Sequence, residues 1–342
     1  MKNYTKLVTS SILISILSIA IVLFFTLDTT TTEIFREIRP EYILAALGVH
    51  ILSFIIWGLR TKSMASALGH KIGIITALEI VISSTFVAAI TPSSIGGEPL
   101  RIHLLNQNQM PVGKATAVVL GERLMDAILI LTVAPFSLHL FHGIMSNPTL
   151  DIVLISGELF LIAGLVLVLY AILRPHNIKL AINVLMGWIA NIGGKKAGSK
   201  LYKLSESIDR EIDEFHESIR IFFTEGRAGL FYGSMYTVIF WIVEFSLLPI
   251  ILLGFNQVPS LMIAFAAQVI LMIILIVPLT PGSSGVAEIA AISIFSVFVP
   301  TNILGIAVAA WRAFTFYANL VLGGFVSFKL LKDTELIRKY TK

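Results

Sequence analysis

Long apolar runs alternate along the chain with polar connectors, and that alternation predicts the elements. Residues 7–27, 43–59, 72–90, 115–140, 152–173, 228–253, 260–279 and 303–328 are apolar over most of their length. About 20 such residues at helical rise cross the hydrocarbon core of a bilayer. The first run follows Lys2 and Lys6 in the manner of a signal peptide. It is longer than a usual signal core, and Phe24-Phe25-Thr26-Leu27-Asp28 offers no small-residue cleavage site, so it is expected to remain as the first span. The one long polar region is 174–227. Within it Ile178, Ala181, Ile182, Leu185, Trp188, Ile189 and Ile192 recur at helical spacing, and Leu201, Leu204, Ile208, Ile212, Phe215, Ile219 and Phe222 follow with charges between them. A first helix is expected to lie at the membrane interface and a second to pack on the cytoplasmic face of the bundle, in preference to a dimerising coiled coil.

Two of the apolar runs end in nearly the same words. Thr91-Pro92-Ser93-Ser94-Ile95-Gly96-Gly97-Glu98 returns as Thr280-Pro281-Gly282-Ser283-Ser284-Gly285-Val286-Ala287-Glu288. Without gaps, Thr, Pro, the second Ser and the following Gly coincide, and the Glu is displaced by one position. Proline bars the residue before it from helical geometry, and the Ser and Gly after it tolerate extended or left-handed backbone, so each copy should break a helix. Broken helices at membrane depth are tolerated only inside protein or beside a wet cavity. Paired breaks in two halves of a chain point to a transporter binding site.

Composition narrows the class. Of 342 residues, 56% are hydrophobic and 13% charged, which makes the chain an integral membrane protein. The absence of Cys excludes disulfides, thiolate metal sites and Cys nucleophiles, and a net charge of +4 is too small to indicate nucleic acid. The placement of charge says more. If every run before 174 crossed once from a cytoplasmic N-terminus, the nine Lys and Arg of 174–227 would lie outside, against the positive-inside tendency. If residues 91–101 and 280–290 are instead tips of re-entrant hairpins, then 1–6, 60–71, 101–114, 174–227 and 329–342 are all cytoplasmic and hold 21 of the 25 Lys and Arg. The expected fold is therefore an all-α polytopic membrane protein, a single domain over 1–342. It has about six full transmembrane helices plus two oppositely oriented re-entrant helical hairpins, both termini in the cytoplasm and the cell membrane as its location. Eight transmembrane helices are the alternative, since 72–90 and 260–279 are each long enough to cross.

Candidate chemistry gathers around the repeats. A returning half-helix presents free N–H groups and a positive dipole end, which favour an anion such as phosphate, although Glu98 and Glu288 can cap the same helices. Glu122, Arg123 and Asp126 share one helix face about 10 Å deep in their span. Arg101, three residues after Glu98, is a candidate partner for it. Arg312, deep in the last span, needs a partner from another helix, Glu288 or Glu244, or from a ligand. Glu158 and Glu244 each stand alone on an apolar run, where a structural and a functional role weigh equally. His139 and His142 lack a ligand set for a metal, and the sequence holds no metalloprotease, nucleotide-loop or nucleophile-elbow motif. No cofactor or metal is expected. The candidate substrate-binding residues are Pro92, Ser94, Gly96, Gly97, Glu98, Arg101, Glu122, Arg123, Asp126, Pro281, Gly282, Ser283, Gly285, Glu288 and Arg312.

Pro92 to Arg101 with Glu122-Arg123-Leu124-Met125-Asp126, followed by Pro278 to Glu288, resembles the membrane domain of the lysylphosphatidylglycerol synthase/flippase family over roughly 5–330. The second motif reads Gly282-Ser283 where the family usually has Gly-Gly, a departure that bears on close backbone approach there. The resemblance implies the lipid-translocating half of the two-part relatives, in which a soluble synthetase domain follows. This chain ends at Lys342, so lipid aminoacylation is not expected of it. The implied function is a lipid flippase moving an anionic, aminoacylated or glycosylated lipid between leaflets. Its expected partners are membrane lipids, with a second copy of the chain or a partner lipid-modifying enzyme as further candidates. Two other classes remain: an intramembrane lipid-modifying enzyme with Glu98 and Asp126 as acid and base, and a membrane scaffold that docks a partner enzyme on 174–227.

Overall fold

The computed structural model describes residues 37–91, 96–144, 148–174, 220–280 except 276–279, and 282–340, together with positions 17, 20, 177, 180, 184, 213 and 217. Most of the expected first span, most of 174–227, and Pro92, Ser94 and Pro281 lie outside the described residues. Among those described every regular element is helical. The helices are α1 (Pro40–Ala67), α2 (Ile74–Ile90), α3 (Gly97–Gln107), α4 (Val112–Ile144), α5 (Pro148–Leu173), α6 (Arg227–Phe245), α7 (Leu247–Gly254), α8 (Leu261–Leu275), α9 (Val286–Phe295), α10 (Thr301–Arg312) and α11 (Asn319–Tyr340), with a π-helical turn Ala313–Ala318 joining the last two.

Among the described residues, four stretches are long and apolar enough to cross a membrane: Pro40–Ala67, Val112–Phe141, Arg227–Gly254 and Thr301–Leu330. The chain is a multi-pass helical membrane protein. The described helices that lead toward the repeats are short, with 276–279 outside the described residues. α2 has 17 residues and α8 has 15, about 26 and 22 Å at helical rise. Each is packed against the short helix beyond its motif, α2 on α3 and α8 on α9.

Two of the expected spans are interrupted. The run 228–253 is offset at Ser246, where α6 gives way to α7. Pro249 explains the offset, because it has no N–H for the carbonyl of Phe245 and its ring crowds that turn. Gln268 of α8 donates to the freed carbonyl at 2.6 Å. The last span carries the π turn, which inserts residues between Arg312 and Asn319 and presents Thr315 and Phe316 to the interior.

Among the described residues apolar packing forms four clusters, two of them large. One core gathers Met64, Leu68, Ile80, Leu105, Met110 and Val118 from α1 to α4. Phe222, at the end of the second expected amphipathic helix, is buried in it and abuts Gly121, Gly226 and Gly229, where a larger side chain would collide. The other core gathers Leu248, Ile251, Leu271, Phe295, Ile303 and Trp311 from α7 to α10. Between the two lie the buried charges.

Candidate functional site

The charged residues of α4 meet partners that the sequence did not single out. Trp57, Arg60 and Thr61 occupy one face of α1, at spacings of three and four residues. Arg60 donates to Asp126 at 2.7 Å and to Glu122 at 3.2 Å. Arg101 donates to Glu122 at 2.6 Å. Trp57 and Thr61 complete the shell of Glu122, with donor distances of 2.9 and 2.8 Å. Trp241 Nε1 donates to Asp126 at 2.9 Å from the other side. Carboxylates taken from water are stable when each lone pair is met in this way by cationic and neutral donors. The Trp57 ring also lies 5.3 to 6.0 Å from the guanidinium carbons of Arg60, Arg101 and Arg123, within reach of its negative face.

This arrangement corrects two expectations. Arg101 pairs with Glu122 rather than with Glu98. The direction of its helix face explains this, since α3 packs on α4 and turns the buried Arg101 toward that helix. Glu98 instead meets Arg123 at 3.0 Å, and Arg123 also reaches Asp126 at 3.4 Å. Arg60 and Arg101, counted among the cytoplasmic cations, are both sealed inside the protein, which removes two of the 21 from the charge asymmetry. Arg60 looked like a membrane-edge anchor because it ends an apolar run.

The second motif forms a separate pair. Glu288 accepts from Arg312 Nε at 2.8 Å and from the backbone N–H of Gly285 at 2.6 Å, so it caps α9 and neutralises Arg312 together. Arg312 stacks over Phe316 at 4.4 Å. A threonine braces each motif: Thr91 Oγ1 accepts from the Gly96 N–H at 3.0 Å, and Thr280 Oγ1 donates to the Ser284 carbonyl at 2.7 Å.

The two motifs touch. The N–H of Gly282 points to the carbonyl of Thr91 at 3.4 Å. Gly282 has φ +57°, and a Cβ there would lie 2.5 Å from both the Ala89 carbonyl oxygen and a Phe316 ring carbon. Close approach therefore falls on the single glycine that the motif retains. Ser283, in the place of the usual second glycine, takes the left-handed region at φ 54°. Gly97 makes a looser approach of the same kind, 3.2 Å from the Ser84 carbonyl oxygen.

Two polar cavities adjoin this contact. The first, about 300 Å³, is lined by Arg60, Glu98, Arg101, Arg123, Asp126 and Arg312 among others. The second, about 500 Å³, shares Glu98, Arg123, Gly282 and Arg312 with it and adds Glu244, Gln268 and Ser283. Arg101 is buried, yet its Nε and Nη1 have no hydrogen-bond partner among the described residues. A third, apolar cavity of about 570 Å³ lies between α4, α6 and α8, bounded by Ile130, Val133, Phe136, Val238, Leu261 and Val269. Trp241 and Phe245 form its wall with the second polar cavity. Glu158 lines none of the three. The candidates Glu122 and Glu288 stand behind the polar lining as counter-charges, while Gly96 and Gly285 shape the turns.

Helices interrupted at a charged, cavity-lined centre define a polytopic membrane protein with a polar interior site. The chain belongs to the family described as the lysylphosphatidylglycerol synthase TM region, which matches residues 11–323. It is similar to a UPF0104 membrane protein of Archaeoglobus fulgidus, with 31% identity over 94% of this chain and 97% of that one. A UPF0104 membrane protein of Methanocaldococcus jannaschii is 25% identical over 63% of each chain.

Proposed function

We propose that the protein is a lipid transporter of the flippase type, which moves a lipid with an anionic or phosphate-bearing head group between the leaflets of the cell membrane without modifying it. One observation carries this reading: the polar cavities hold buried arginine donors and adjoin, through Trp241 and Phe245, a cavity with an almost wholly apolar lining. A soluble anion needs only the first compartment. A lipid needs both, with its head among the arginines and a chain in the groove.

In the proposed mechanism Arg101 offers its Nε and Nη1 to a head-group oxygen, a charge-assisted contact for which Arg is well shaped. Arg123 and Glu98, the more accessible ion pair, open to admit the head group, and an aminoacylated head would present its ammonium to Glu98. The α2–α3 and α8–α9 units act as opposed re-entrant hairpins whose contact at Thr91 and Gly282 separates the cavities from one side of the membrane. Both termini are cytoplasmic in this arrangement. The proposal leaves 174–227 as the docking segment for a partner lipid-modifying enzyme.

The test is leaflet exchange in reconstituted vesicles with fluorescent phosphatidylglycerol, lysyl-phosphatidylglycerol, a glycosylated lipid phosphate and a neutral diacylglycerol. Exchange of at least one phosphate-bearing lipid above protein-free vesicles, with none for the diacylglycerol, is expected. Protein-free rates for every lipid, or a product of changed mass, would overturn the proposal.

A further inference from the structure

The first polar cavity is walled by two kinds of hydrogen-bonding group. On one wall, α1, α3 and α4 bring Arg60, Arg101 and Arg123. Arg101 Nε and Nη1 and Arg60 Nε are buried N–H groups without a hydrogen-bond partner among the described residues, and a guanidinium can only donate. The carboxylates beside them, Glu98 and Asp126, are already held by arginines of the same wall. To an incoming group this wall therefore offers donors.

A second wall, from α2 and the π turn, carries the hydroxyls of Ser84, Thr85 and Thr315. Each hydroxyl proton is committed to its own helix. Ser84 donates to the Val81 carbonyl at 2.6 Å, Thr85 to the Ile82 carbonyl at 2.7 Å and Thr315 to the Trp311 carbonyl at 2.9 Å. A carbonyl only accepts, so the proton lies on each of these bonds and the hydroxyl oxygen keeps lone pairs. This wall therefore offers acceptors. The two walls are close, because Gly97 abuts the Ser84 carbonyl and Arg101 stands four residues further along α3, about 6 Å at helical rise.

A bare phosphate satisfies the first wall and gives nothing to the second. A choline head has no N–H or O–H to donate there. An ammonium has donors, but it would add a cation beside Arg123 and Arg312, which line the same cavity. Hydroxyl groups donate without charge. The cavity, about 300 Å³, is at the small end of ligand pockets and suits a phosphate with one small polyol. Resting on the lipid-transport reading, we infer that this cavity selects a lipid phosphate that carries a neutral polyol, of the inositol or sugar class. The phosphate oxygens meet Arg101 and Arg60, and the polyol hydroxyls donate to Ser84, Thr85 and Thr315. These three are then specificity-determining residues, since a head group without hydroxyls leaves their acceptors unpaired once water is displaced.

Isothermal titration of the purified full chain in detergent tests this without any transport. The probes are short-chain phosphatidylinositol, phosphatidylmethanol and phosphatidylethanolamine, and free inositol phosphate. Phosphatidylmethanol keeps the phosphodiester charge and lacks hydroxyls. Phosphatidylinositol should bind about tenfold more tightly than phosphatidylmethanol or phosphatidylethanolamine. Thr85→Val combined with Thr315→Val keeps side-chain shape and removes two acceptors, so it should bring that ratio close to one. Ser84→Ala should lower it part-way, and Arg101→Gln should weaken phosphatidylinositol and phosphatidylmethanol alike. No binding of phosphatidylinositol, a wild-type ratio near one, tighter binding of phosphatidylethanolamine, or a ratio that survives the threonine variants overturns the inference. If free inositol phosphate binds as tightly as the lipid, or if phosphatidylinositol is preferred yet no lipid exchanges in vesicles, the polyol site stands and the transport proposal falls. If lipids exchange without regard to the polyol, the reverse holds.

Discussion

The two copies of the repeat begin alike and end in different electrostatic states. In the second copy, Glu288 and Arg312 close on one another, with side chains 0% and 5% exposed, and Glu288 also caps its helix. In the first copy, Glu98 reaches across to Arg123, with side chains 28% and 40% exposed, and makes no capping contact among the described residues. Behind that pair Arg101 is anchored to Glu122 through one nitrogen and leaves two donors free. A sealed pair holds backbone in place, whereas an accessible pair over an under-used guanidinium can exchange partners with a ligand. On the proposed transport reading, the duplicated motif is divided between bracing and binding.

Breaking the sealed pair should have the largest effect. Removing one member of a buried ion pair leaves the other uncompensated, so Glu288→Ala should lower stability by about 3 to 5 kcal/mol, read by thermal unfolding in detergent. Adding Arg312→Met should recover most of that loss. The contact between copies comes next. Gly282→Ala places a methyl group against the Ala89 carbonyl and Phe316, and overpacking of this kind should cost about 1 to 3 kcal/mol in the same measurement. Arg101→Gln should cost less, about 1 to 2 kcal/mol, because Glu122 keeps Arg60, Trp57 and Thr61. Its effect on lipid exchange should nevertheless be large. Arg123→Gln should be nearly silent in unfolding, below about 1 kcal/mol for so exposed a pair, yet should alter which head groups are exchanged. Equal losses of stability for Glu288→Ala and Arg123→Gln would erase the distinction between the copies.

Much of this centre was legible in the sequence. The repeated Thr-Pro-Ser-Gly words announced the breaks, and the spacing of Glu122, Arg123 and Asp126 announced one charged face. Partners contributed by other helices were less visible, for a physical reason. Apolar runs hide tertiary choice: nothing in 43–59 distinguishes Trp57, which donates to Glu122, from a lipid-facing aromatic residue. The spacing of Trp57, Arg60 and Thr61 was the available signal, and it was masked because Arg60 also served as an interfacial cation. Glu244 looked solitary on its own apolar run, and nothing in the sequence singled out Gln268. Both acquire a common setting only in the fold, where Pro249 frees the Phe245 carbonyl that Gln268 meets and the two side chains line the second polar cavity.

The most direct measurement compares leaflet exchange by Arg101→Gln with exchange by the double variant Glu288→Gln/Arg312→Gln, each in vesicles and normalised to folded protein. The division of labour between the two copies predicts that Arg101→Gln falls to the protein-free rate while the neutralised pair retains exchange. Wild-type exchange by Arg101→Gln, with exchange lost in the double variant, would contradict it.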